Sequence, residues 1–162
     1  MTLRVFAAVL ACSLGFAQPA GEVDPAFTAA AEQLRHTVKI PLRLPSKLPD
    51  LGQGREAVYA IVERAAPRSY SIIIGFTPDC NGASVCRIGT LAGSPAGRKR
   101  LRGKGVKLKN GVAGRFNEAS CGANCSDSIV SWREGANEYT VGVKAGSEND
   151  AAALANACLP SK

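Results

Sequence analysis

A chain of 162 residues is long enough to bury its own core as one ordinary domain, without a structural metal or heavy cross-linking. Its formal charge of +7 does not describe a uniformly basic nucleic-acid binder. Seven cations from Arg98 to Lys109, with no acid between them, account for all of it.

Residues 1–17 read as an export signal. Arg4 supplies a positive head, residues 5–16 an almost unbroken apolar run, and Gly15 and Ala17 small side chains where a signal peptidase inspects the chain. The run is too short to span a bilayer as a mature helix. A rival route treats Val9-Leu10-Ala11-Cys12 as a lipobox with Cys12 lipidated, but the apolar run would then continue past the anchor through Leu14 and Phe16. Soluble export is the preferred reading, with residues 18–162 forming a single domain in an oxidising compartment, periplasmic or secreted.

Asp24-Pro25 announces a helix with a capping side chain and a proline at its first position. Phe27, Ala31, Leu34 and Val38 recur at helical spacing, so residues 25–37 should place one face on the core. The only histidine, His36, falls in the last turn, where a cation is favoured by the helix dipole. Residues 39–49 carry Pro41, Pro45 and Pro49, which excludes a helix or central strand and leaves an extended segment at an edge or clamped across a sheet.

The period then switches to two. Residues 57–64 and 69–77 form a strand pair, the second with Tyr70, Ile72, Ile74 and Phe76 on one face. Residues 85–91 are a third strand. Residues 106–108 and 112–116 flank Asn110-Gly111, a dipeptide suited to a tight turn with two positive φ angles. Residues 129–134 and 138–144 flank a second turn and set Trp132 across from Tyr139. A capping-box pattern, Ser147 with Asp150, opens a last helix with Ala151, Leu154, Ala155 and Cys158 on one face. The expectation is an α+β domain: a mainly antiparallel, meandering sheet of six to seven short strands, with N-terminal and C-terminal helices packed on it.

Four cysteines fall into two close pairs, Cys80 with Cys86 and Cys121 with Cys125, and four cysteines allow three pairings. Loop entropy favours long-range bridges, about 4 kcal/mol against roughly 2 for local ones. Turn geometry and folding speed favour local ones, and Cys80–Cys86 with Cys121–Cys125 is the preferred framework. A four-thiolate zinc site is the rival, but the five-residue gap of the first pair exceeds the usual spacing and no metal or other cofactor is expected. Cys158 then reads as a small buried hydrophobe.

Through Asp79-Cys80-Asn81-Gly82-Ala83, Cys86, residues 111–116, Cys121-Gly122-Ala123-Asn124-Cys125-Ser126, Trp132 and residues 139–142, the chain resembles a group of uncharacterised exported bacterial proteins, cyanobacterial ones among them. The Trp132 hairpin and the helix after it are more loosely similar to an extracytoplasmic domain of unknown function found in anti-sigma factors and lipoproteins. The resemblance implies a sheet domain outside the cytoplasm and carries no activity. It offers no counterpart for residues 98–104.

Catalytic constellations are thin. Ser126 or Ser128 would have only His36 as a base, no nucleophile elbow or zinc-protease helix is present, and Asp79, Glu118 and Asp127 lie in turns where acids commonly bond their own backbone. The chain is therefore expected not to be an enzyme. A structural or protein-interaction module of the cell envelope is the first reading. The alternative is binding of anionic envelope polymers or lipid headgroups through the basic segment 98–109, with Arg98, Lys99, Arg100, Arg102 and Lys104 as its contacts. Nucleic acid is not expected as a partner, because the compartment is wrong. The basic segment lacks apolar periodicity and aromatics and reads as a mobile, solvated hairpin loop.

Overall fold

The computed structural model describes residues 22–51 and 57–161, so the expected export signal, its Cys12 alternative and the expected domain start at residue 18 lie outside the described residues. A turn of 3-10 helix, Pro25–Phe27, leads into α1, Thr28–Thr37. Seven strands follow: β1 Tyr59–Ala66, β2 Ser69–Gly75, β3 Arg87–Pro95, β4 Lys104–Lys107, β5 Ala113–Asn117, β6 Asp127–Glu134 and β7 Asn137–Lys144. Helix α2, Glu148–Cys158, ends the fold. The expected α+β class holds, with every strand pair antiparallel.

The strands form one sheet in the order β1-β2-β3-β7-β6-β5-β4, which is two meanders joined edge to edge at β3 and β7. Period-two alternation assigns the faces. Tyr70, Ile72 and Ile74 of β2, Leu91 of β3, Tyr139, Val141 and Val143 of β7, Val130 and Trp132 of β6, and Phe116 of β5 are buried on one side, beneath α1 and α2. Intervening residues such as Thr90, Ser131, Arg133 and Thr140 stand on the opposite face, which no helix covers. At the irregularity between Ile74 and Gly75, two residues of β3 face one of β2, and this lets Ile88 join the core as well.

The proline-bearing segment is no strand; it crosses the helix-covered face as a clamp. Tyr70 Oη accepts from the Arg43 amide at 2.9 Å, and Tyr139 Oη donates to the Pro41 carbonyl at 3.0 Å. Arg43 reaches Glu134 through Nε at 3.0 Å and Nη2 at 2.7 Å, with its guanidinium 5.7 Å from the Tyr139 ring centre. Trp132 Nε1 donates to the same carboxylate at 2.8 Å. Gly93 makes room for this arrangement: a Cβ there would drive into the Tyr70 ring and lie 3.1 Å from Tyr139.

The four paired cysteines form the two local bridges, Cys80–Cys86 and Cys121–Cys125, so their sulfurs do not make a thiolate metal site. Cys158 is a buried free thiol, with burial pushing its pKa far up. The first disulfide loop folds over Ile73, and Lys144 Nζ donates to its Ser84 carbonyl. Replacing both Cys80 and Cys86 by serine should cost about 2 kcal/mol, the closure entropy of a short loop. A chemical-denaturation midpoint unchanged from the parent would contradict that.

The basic segment departs from its expected form. Asn110 and Gly111 do take positive φ, 60° and 76°, and close the turn between β4 and β5. Residues 96–103, however, are no hairpin loop, because β3 and β4 are four positions apart in the sheet. Four antiparallel pairings separate them, so both strands run the same way. The register makes Lys104 level with Phe116, Val130, Val141 and thus Leu91, well back along β3. The connection must cross four strand spacings, about 19 Å, while returning about 13 Å along the strands. Its reach is about 30 Å at full extension, so it has to run as a near-direct diagonal over one face. The helices occupy the other.

Candidate functional site: a cationic pocket under the crossover

The open sheet face holds the crossover by its backbone. Arg133 Nη2 donates to the Lys99 carbonyl at 2.6 Å, Asn117 Nδ2 to the Arg102 carbonyl at 3.2 Å and Arg115 Nη1 to the Gly103 carbonyl at 3.4 Å. Carbonyls on the connection accept from the sheet, and its charged side chains are left exposed; Ala96 and Leu101 are half-buried. At the far end, the Ala96 amide donates to the Ala136 carbonyl in the β6–β7 turn.

Between crossover and sheet lies a cavity of about 480 Å³. Lys99, Arg100 and Arg102 line it from the crossover, and Ser94, Asn117, Ser131, Arg133 and Glu138 from the strands. Four cationic residues and one carboxylate thus share the lining. That carboxylate belongs to Arg133, whose Nε and Nη2 reach Glu138 Oε2 at 3.1 and 2.9 Å. Ser131 Oγ lies 3.0 Å from Thr140 Oγ1 on the neighbouring strand. A concave site with a single sign of excess charge concentrates field and attracts oppositely charged ligands.

Of the residues expected to contact a polyanion, Lys99, Arg100 and Arg102 line this pocket. Arg98 is exposed on the crossover outside the lining, and Lys104 belongs to edge strand β4, where its Nζ is 2.7 Å from Glu148 Oε2 at the start of α2. The catalytic candidates are dispersed. His36 is exposed at the end of α1, Ser128 is fully buried with its hydroxyl donating to the Val143 carbonyl, and Asp127 accepts from Arg87 at 2.8 Å. Asp79 and Glu118 are exposed.

Reading the sequence missed Arg133, Glu138, Ser131 and Asn117. The signal was present for all four: once Trp132 and Tyr139 are assigned to the core, strand alternation sends Ser131, Arg133 and Glu138 to the other face. Asn117 follows by the same alternation from Phe116. What alternation does not supply is the partner. Only the strand order brings the basic segment across these residues.

No family model matches the chain, and no curated protein or solved structure matches it. No helix among the described residues is long and apolar enough to cross a membrane.

Proposed function

We propose that this chain is a non-enzymatic, disulfide-stabilised module working outside the cytoplasm, and that it binds an anionic polymer of the cell envelope beneath the crossover. The observation carrying this is the pocket itself, which Lys99, Arg100, Arg102 and Arg133 all line on the open sheet face. The disulfide-held loops also suit a rigid surface displayed to a protein partner. Among the described residues nothing on the surface favours one partner protein, however, whereas the pocket names a ligand charge. The two bridges fit an oxidising compartment, and kinship with exported bacterial proteins is part of the same proposal.

Heparin serves as a general polyanion probe. The affinity of the full exported protein for it should fall steeply with sodium chloride. Neutralising Lys99, Arg100 and Arg102 together to glutamine should reduce the log–log salt slope by about two to three. A triple variant with unchanged slope and affinity would remove the basis for this reading.

A further inference from the structure

We propose that the ligand of this pocket is an acidic polysaccharide, held by cations on its carboxylates and by Glu138, Ser131 and Asn117 on its hydroxyls. The inference rests on the anion-binding reading and turns on a feature that a plain anion site would not carry. Glu138 lines the cavity, and both hydrogen bonds from Arg133 fall on its Oε2. Among the described residues no hydrogen bond is made to its Oε1.

A carboxylate inside an anion site discriminates between anions by their hydrogen-bonding inventory. Polyphosphate, and any phosphodiester chain without free hydroxyls, offers only acceptors at neutral pH, so it gives Glu138 nothing and is repelled by it. A uronic-acid chain offers a carboxylate to each cation and hydroxyl donors between carboxylates. For such a ligand Glu138 is a partner, and charge-assisted hydrogen bonds of this kind are the stronger ones. The remaining polar lining has the same dual character. Ser94 and Ser131 carry hydroxyls that donate and accept, Ser131 being coupled to Thr140, and the Asn117 amide has both functions.

Other polyanions fit less well. No aromatic side chain lines the cavity, so bases have nothing to stack on. Leu101, the one large apolar lining residue, is half-buried rather than presented for insertion into a bilayer. At about 480 Å³ the cavity has the size of a small-molecule site, so a polymer would enter it as a short run of residues.

The test titrates the full exported protein at one salt concentration with polygalacturonate, inorganic polyphosphate, and vesicles of phosphatidylglycerol in phosphatidylcholine. Polygalacturonate should bind at least about tenfold more tightly than polyphosphate per charged residue, the factor of one charge-assisted hydrogen bond. Glu138→Gln should shrink that preference to within about threefold, chiefly by strengthening polyphosphate binding. Ser131→Ala, which leaves the charges in place, should weaken polygalacturonate about fivefold and keep the assignment testable should Glu138→Gln fold poorly. If polyphosphate or the vesicles bind the parent as tightly as polygalacturonate, the polysaccharide assignment is overturned while the anion site stands. If neutralising Lys99, Arg100 and Arg102 changes none of the three titrations, the anion site falls with it.

Discussion

Replacing Arg43 with alanine should destabilise the protein by about 2–3 kcal/mol, a breaking of a partly buried ion pair. In a domain of this size that is a fall in thermal midpoint of about 6–10 °C. Arg43 holds the proline-bearing clamp on the sheet through three kinds of contact: the two-point pair with Glu134, the Tyr139 ring beneath its guanidinium, and its own amide bonded to Tyr70. Its side chain is 14 % exposed and that of Glu134 24 %, so water replaces little of what is lost. The variant leaves Glu134 with Trp132 Nε1 as its remaining donor.

The pH dependence gives a second reading of the same contact. Burial alone would push the Glu134 carboxyl up, but the hydrogen bonds from Arg43 and Trp132 outweigh it and hold the pKa below the ordinary range. A depressed carboxylate contributes stability above its unfolded pKa of about 4.3 and loses it as pH falls through the folded value. The parent should therefore lose more stability than Arg43→Ala between pH 5 and pH 3. Parallel pH profiles for the two proteins would show that the pair does not act this way.

Arg133→Met should have the largest effect on binding of any single change, at least tenfold, because it strikes twice. It deletes a pocket cation, and it releases the Lys99 carbonyl that Arg133 holds at 2.6 Å. A charge-assisted hydrogen bond of this kind contributes about 1.5–3 kcal/mol. The crossover is itself a row of trypsin sites at Arg98, Lys99, Arg100 and Arg102, so loosening it has a direct readout. Limited trypsin digestion should cleave between residues 98 and 104 about tenfold faster in Arg133→Met than in the parent, since cleavage tracks local opening. Arg98→Gln, exposed and outside the lining, is the comparison: it should lower affinity about twofold through long-range charge alone. Equal losses from the two variants would mean that net charge, not the pocket, governs binding.

Much of the fold was written in local pattern. The Tyr70, Ile72, Ile74 alternation, the Asn110-Gly111 turn and the Ser147–Asp150 capping box each specify their own element, and each takes the expected form. Strand ends were harder to place. β3 starts at Arg87 rather than Val85 because the preceding residues close the disulfide loop, and it extends to Pro95 because β7 pairs with it that far. The candidate site was legible only in halves. Composition displayed the basic segment and alternation put Arg133 and Glu138 on the free face, but the contact between them depends on strand order. That order rests on the pairing of β3 with β7, strands far apart in the chain, and not on a local pattern within the segment.

The junction of β3 with β7 has a further consequence in time. Each meander can form from near neighbours in sequence, β1 to β3 on one side and β4 to β7 on the other, whereas their seam joins strands about fifty residues apart. Loop-closure entropy places that seam late in folding. Until it closes, residues 96–103 are a tether between two half-sheets, with nothing to lie across. The cationic pocket is therefore a product of the last assembly step, and a chain with its secondary structure complete but its halves unjoined would have all the charges of the site without the site.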